Sequence, residues 1–209
     1  MLGGTFDPVH RGHLALALAA REFLGLEQLR LVPARVPPHR ATPGANDRQR
    51  LSMLQLAVQG CDGLLIDDME LVRSGPSYSL LSVLQLRQRF PGHLPVLVLG
   101  WDSFASLPGW HQWQELAGLT AFLVYHRAGH QPELPQQLGK LLQPAEFPQQ
   151  AGQYCSLQAN LPRVSASQVR QCVQRGEPVE GLVPTEVGQF IESEGLYQQL
   201  QPQSMQEDI

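Results

Sequence analysis

The sequence predicts an α/β fold, a mostly parallel sheet with helices on both faces, and three observations carry that expectation. Short unbroken apolar runs, Leu29–Pro33, Pro95–Gly100 and Thr120–His126, alternate with stretches of helical period such as Leu14–Leu24 and Leu80–Phe90. Unbroken runs suit strands covered on both faces, because a strand with one wet face alternates apolar and polar residues. A turn with the look of a strand end, a helix and a second strand fill residues 3–33, which implies a parallel crossover. The layout is Rossmann-like, and in such sheets ligands bind along the carboxyl edge of the strands.

Size and composition set the outer bounds. At 209 residues one domain is expected, spanning 1–197, with 131–153 as a Gln- and Pro-rich surface excursion, 158–197 as a C-terminal helical part and 198–209 as a frayed tail. The chain is 43% hydrophobic and 16% charged, with a net charge of -4, so it lacks the basic excess that holds a nucleic-acid backbone. Its apolar runs are too short to cross a bilayer, and no basic segment followed by an apolar core opens the sequence, so no membrane partner is expected. Cys61, Cys155 and Cys172 are odd in number and outside any C-x-x-C pair, and they read as reduced thiols of a cytoplasmic protein. A homo-oligomer is compatible with this composition.

The first turn, Gly3-Gly4-Thr5-Phe6-Asp7-Pro8-Val9-His10-Arg11-Gly12-His13, is the most informative stretch. Paired glycines let a backbone approach a bulky ligand, Asp7-Pro8 forces a non-helical turn, and two imidazoles sit three residues apart where a helix begins. Three readings stand open: a plain turn with surface histidines, a metal site using His10, His13 and Asp7, and an anion site. A helix start offers N–H groups and partial positive charge to phosphate oxygens, which favours the third. Zinc needs further ligands that the neighbourhood does not supply. Neither G-x-x-x-x-G-K-[ST] nor G-x-G-x-x-G occurs, which disfavours a P-loop ATPase and a dinucleotide-binding oxidoreductase.

The remaining elements follow in order. The helix after the turn stops at Gly25, and strand Leu29–Pro33 leads into Ala34-Arg35-Val36-Pro37-Pro38-His39-Arg40, a stiff cationic loop at a strand's carboxyl end. Asn46 or Asp47 caps a helix that runs to Gly60, with Arg48 in its first turn either as a surface residue or as a phosphate contact. Leu64–Asp67 and Met69–Val72 read as one strand with a bend. Ser77 or Ser79 caps the helix Leu80–Phe90. Strand Pro95–Gly100 carries Asp102 at its tip, placed to accept hydrogen bonds from ribose hydroxyls, and Trp101, Trp110 and Trp113 follow, equally at home in a core. After strand Thr120–His126 and the excursion, in which a short helix fits 134–142, a last strand near Tyr154–Leu157 leads to Val164-Ser165-Ala166-Ser167-Gln168-Val169-Arg170. That segment is a helix start with capping hydroxyls and a cation one turn inside. The last helix covers Thr185–Glu194 and ends at Gly195-Leu196-Tyr197.

Two of these stretches carry a resemblance. The His-x-Gly-His turn is similar to the signature of the nucleotidylyltransferase superfamily, shared with class I aminoacyl-tRNA synthetases, and its longer Gly-Gly-Thr-Phe-Asp-Pro form is most similar to the bacterial nicotinate-nucleotide adenylyltransferase family. Val-Ser-x-Ser-x-Val-Arg over 164–170 resembles the superfamily's second signature, and finding both in order about 150 residues apart is far more specific than either alone. Only Met1 and Leu2 precede Gly3, where the family has several apolar residues, so the first strand is either short or begins upstream.

The resemblance implies transfer of AMP from ATP, which brings Mg2+ with it, to nicotinate mononucleotide, giving nicotinate adenine dinucleotide and pyrophosphate. It implies His10, His13 and Arg170 as catalytic residues, and Gly3, Gly4, Thr5, Phe6, His13, Ser165 and Arg170 as ATP contacts. For the acceptor it implies His39 and Arg40 at the phosphate, Ser79 and Leu80 at the pyridine carboxylate, Asp102 at ribose, Trp110 stacked on the ring and His111 beside it, contributing mainly through its backbone. Competing readings are an enzyme taking the amide mononucleotide or another small phosphate, a non-catalytic adenine-nucleotide sensor, and a synthetase fragment.

Overall fold

The computed structural model describes residues 1–35, 43–127 and 133–198. Among them seven strands, β1 (Leu2–Gly4), β2 (Leu29–Pro33), β3 (Leu64–Ile66), β4 (Val96–Gly100), β5 (Ala121–His126), β6 (Gln143–Pro144) and β7 (Gln153–Gln158), form one sheet in the order β3-β2-β1-β4-β5-β7-β6. Every neighbouring pair is parallel. The helices are α1 (Arg11–Phe23), α2 (Asp47–Val58), α3 (Met69–Val72), α4 (Ser79–Arg89), α5 (Trp101–Ala105), α6 (Trp113–Ala117), α7 (Gln136–Gly139), α8 (Ala166–Gln174) and α9 (Thr185–Ser193). No helix among the described residues is long and apolar enough to cross a membrane.

Strand periodicity sorts the core into two layers. Successive side chains of a strand point to opposite faces. Val98 of β4 and Leu123 of β5 therefore join the cluster formed by Leu14 and Ala17 of α1, Met53 and Leu54 of α2, Val169 of α8 and Ile191 of α9. Their neighbours Leu97, Leu99, Phe122 and Val124 join Leu80 and Val83 of α4, Phe104 of α5 and Leu116 of α6 on the other face. The unbroken apolar runs are thus explained by helices on both sides. The first strand is short: β1 has three residues, yet Leu2 is buried and pairs with Leu31 on one side and Val98 on the other. Within 133–153, β6 adds to the sheet edge, and Leu138 of α7 and Leu142 enter the second cluster.

Two expectations need correcting. Residues 69–72 do not extend the strand through 64–67; they form α3. Asp67 is buried between Arg30 at 3.3 Å and Arg89 at 2.8 Å, and this acid at the strand end closes β3. Met69 and Glu70 are then both buried, and Ser82 donates to Glu70 at 2.5 Å. Nor does a serine cap α4: its N-cap is Tyr78, and Ser77 Oγ instead accepts from the Arg35 N–H at 2.9 Å. Helix α2 is capped by Asn46, which accepts from Gln49 N–H at 2.9 Å, and Arg48 is exposed.

The buried stripe of α2 contains a cation. Arg50, Met53, Leu54 and Ala57 share one helical face, and Arg50 is fully buried. Its guanidinium donates to the carbonyl of Thr5 at 2.6 Å, to that of Arg35 at 3.3 Å and to Asp47 at 2.7 Å, joining the segments that leave β1 and β2. Replacing it leaves two carbonyls and a carboxylate without their donor. Arg50→Met is expected to lower the unfolding free energy by about 3 kcal/mol, read by urea denaturation; a loss no larger than an exposed control such as Arg48→Met would contradict this role.

Candidate active site

The strand order reverses between β1 and β4, and at such a switch point the crossovers diverge and leave a crevice at the carboxyl ends. The residues leaving β1 are Thr5 to His10, and those leaving β4 are Trp101 and Asp102.

Asp7 organises the first of these. It is 7% exposed, and its carboxylate accepts from Gly44 N–H at 2.8 Å, Ala45 N–H at 3.0 Å and the Tyr197 hydroxyl at 2.7 Å. Burial and the neighbouring carboxylate push the Tyr197 hydroxyl's pKa up, so it remains a donor. Arg170, one turn inside α8, donates from Nη1 to the Asp7 carbonyl at 2.6 Å and lies 3.9 Å from its carboxylate. The two segments expected to grip phosphates therefore meet directly, though separated by 163 residues of chain. Arg170 also donates to Ser167 at 3.2 Å, and Ser165 caps α8 by accepting from Gln168 N–H at 3.1 Å.

The histidines form a stacked pair at the start of α1, with centroids 3.7 Å apart and planes inclined by 22°. His10 is the N-cap, and its backbone N–H donates to His13 Nδ1 at 3.3 Å. In a neutral ring that bond leaves Nε2 of His13 carrying the proton, hence a donor. Phe6 meets His13 edge-on at 4.9 Å. Burial lowers the His10 pKa from 6.5 to about 4, so its imidazole is neutral near pH 7, and its Nδ1 is buried without a partner.

Space around the glycines differs by position. A Cβ on Gly12 would lie 3.1 Å from the His10 ring and 3.3 Å from the Pro162 carbonyl, so the first turn packs at this residue against the segment that leads into the second signature. A Cβ on Gly4 would meet the Phe6 ring at 3.1 Å, whereas nothing lies within 4 Å of one on Gly3, which faces open space. In the metal reading Asp7 would supply an oxygen; here both its oxygens accept from protein donors.

The second half of the site forms around α4. Tyr78 stacks on His111 with centroids 4.0 Å apart and planes at 15°, bringing Ser79 and Leu80 at the start of α4 close to Trp110 and His111. The His111 ring is thereby engaged by Tyr78. Trp110 is half-buried, packs against the second core cluster and donates from Nε1 to Ser106 at 3.3 Å. The core alternative holds for Trp101 and Trp113 as well, both packed against that cluster. Asp102 is exposed in the first turn of α5, directly past β4. Arg35 links the halves: its N–H bonds Ser77 and its carbonyl accepts from Arg50, which also holds Thr5. His39 and Arg40 lie outside the described residues.

Sequence reasoning missed Asp7 as an anchor, Arg50 and Tyr197. A signal existed for Arg50, a charge at an apolar position of the α2 period; Tyr197 offered only its place after the last helix.

This geometry has counterparts among known proteins. Residues 1–172 match the cytidylyltransferase-like family model. The chain is 43% identical over 204 residues to a protein of Pseudomonas putida named probable nicotinate-nucleotide adenylyltransferase, covering 94% of this chain and 89% of that one. It is 39% identical to one of the same name from Aeromonas hydrophila, covering 94% and 95%. Among solved structures it resembles the Plasmodium falciparum nicotinic acid mononucleotide adenylyltransferase complexed with NaAD, with a TM-score of 0.73, 17% identity and coverage of 94% and 95%. At that identity the likeness is one of fold.

The buried neutral His10 makes stability depend on pH. Its folded pKa lies below the unfolded value, so the unfolded chain takes up the proton first, and the contribution is full above about pH 6.5 and lost as pH falls toward 4. Stability measured by chemical unfolding between these values is expected to fall less steeply in His10→Asn than in the wild type; parallel curves would contradict it.

Proposed function

The chain belongs to the nicotinate-nucleotide adenylyltransferase family, and from that premise we propose how its own residues transfer AMP from ATP to nicotinate mononucleotide, forming nicotinate adenine dinucleotide and pyrophosphate in NAD biosynthesis. The observation that supports the assignment is the 2.6 Å bond from Arg170 to the Asp7 carbonyl, because it joins the two segments proposed to bind phosphates.

In this reading residues 1–197 act as one catalytic domain. The acceptor phosphate is ionised at neutral pH and needs no general base. One of its oxygens attacks the α-phosphorus, the bond from that phosphorus to the bridging oxygen of pyrophosphate breaks, and the electron pair leaves with pyrophosphate, without a covalent enzyme intermediate. What remains for the protein is to align the three groups and stabilise developing charge. His10 and His13 contact the reacting phosphates as hydrogen-bond donors, the His13 bond coming from Nε2. Arg170, the Ser165 end of α8, Gly3, Gly4, Thr5 and Phe6 hold the nucleotide. Open space over Gly3 supports close approach of the ligand there. ATP enters as its Mg2+ complex.

On the acceptor side Trp110 supplies a stacking face, the start of α4 at Ser79 and Leu80 offers N–H groups to the pyridine carboxylate, and Asp102 accepts from ribose hydroxyls. The Tyr78–His111 stack supports this by fixing the two walls against each other. His39 and Arg40 are proposed at the acceptor phosphate.

His10→Ala and His13→Ala are each expected to lower kcat about 100- to 1000-fold while leaving the fold intact by circular dichroism; near-normal turnover in either would remove that residue from the mechanism. Pyrophosphate release measured with nicotinate and nicotinamide mononucleotides side by side tests the acceptor. The acid is expected to be preferred, and equal rates would mean that the start of α4 does not read the carboxylate.

A further inference from the structure

Tyr197 lies beyond α9, outside both phosphate-binding segments, yet it touches the site's scaffold at two points. Its hydroxyl donates to Asp7 Oδ1 at 2.7 Å, and its ring stands where a Cβ on Gly44 would come within 3.1 Å of it. Gly44 and Ala45 are themselves donors to Asp7, and Asp7 presents its carbonyl to Arg170. Tyr197 also adopts a left-handed backbone, φ 61°, which costs a non-glycine residue energy and persists only where its surroundings fix it. The hydroxyl and ring are thus held in place by backbone geometry as well as by packing.

We infer that Tyr197 is a positioning residue for the adenylyl transfer: by orienting Asp7 it fixes the carbonyl that holds the Arg170 guanidinium. The inference rests on the reading of Arg170 as an ATP contact. Without the phenolic hydroxyl Asp7 Oδ1 keeps only the Ala45 N–H, the carboxylate is held less tightly beside Arg170 at 3.9 Å, and the guanidinium is less firmly placed for the nucleotide. The deficit falls on ATP binding and turnover rather than on the core, since Tyr197 is only half-buried.

The test compares Tyr197→Phe, Arg170→Ala and the double variant in steady-state pyrophosphate release, with thermal unfolding alongside. Tyr197→Phe is expected to lower kcat/KM for ATP about tenfold, the size of one hydrogen bond to a charged group. On the Arg170→Ala background the same change is expected to cost about twofold or less, because the two act in series. Gly44→Ala, which displaces the ring while keeping the hydroxyl, is expected to reduce kcat/KM for ATP in the same direction, and it reads the inference should Tyr197→Phe fold poorly. Wild-type kcat/KM in folded Tyr197→Phe or Gly44→Ala, or an undiminished Tyr197→Phe effect on the Arg170→Ala background, overturns the inference. If Arg170→Ala itself keeps wild-type kinetics, it is the assignment of Arg170 to ATP that fails.

Discussion

One buried carboxylate holds the functional end of this molecule together. Asp7 leaves water almost completely, and a buried anion is tolerated only when donors surround it. It finds them in two distant stretches, the backbone before α2 and the hydroxyl beyond α9, while the arginine of α8 lies 3.9 Å from the carboxylate and donates to the carbonyl of the same residue. Each donor satisfies the charge, and in doing so fixes its own segment against the first turn. The turn from β1 to α1 is therefore set by tertiary contacts as much as by its own glycines and proline.

A second buried charge does the complementary work. Arg50 collects the carbonyls of Thr5 and Arg35, so the segments leaving β1 and β2 share one guanidinium, while Ser77 takes the Arg35 N–H and extends the link to α4. Both devices satisfy backbone groups that a loop at a sheet edge would otherwise leave to water. They suit a site that must be rigid before its ligands arrive, since alignment rather than acid–base chemistry is the main task in phosphoryl transfer.

The electrostatics are local. With a net charge of -4 the chain as a whole does not attract polyanionic nucleotides. In the proposed mechanism attraction comes from the helix starts of α1 and α8, from Arg170 and from imidazole hydrogen bonds. Burial keeps His10 uncharged near neutral pH, so it offers a directed hydrogen bond without adding a charge that would itself need compensation.

By itself the sequence determined the alternation of strands and helices, the parallel sheet, the turn that opens the first long helix and the helix start at 164–170. These depend on short-range period, capping and turn chemistry, which neighbouring residues dictate. It also located Ser79, Leu80, Asp102 and Trp110 through resemblance, without saying how they meet. Only the tertiary structure decided that Asp67 ends β3 between Arg30 and Arg89, that Tyr78 caps α4 and stacks on His111, and that Asp7, Arg50, Arg170 and Tyr197 form one framework. Those contacts join residues up to 190 positions apart, and a charge seeking a buried partner leaves no periodic trace in the chain that supplies it.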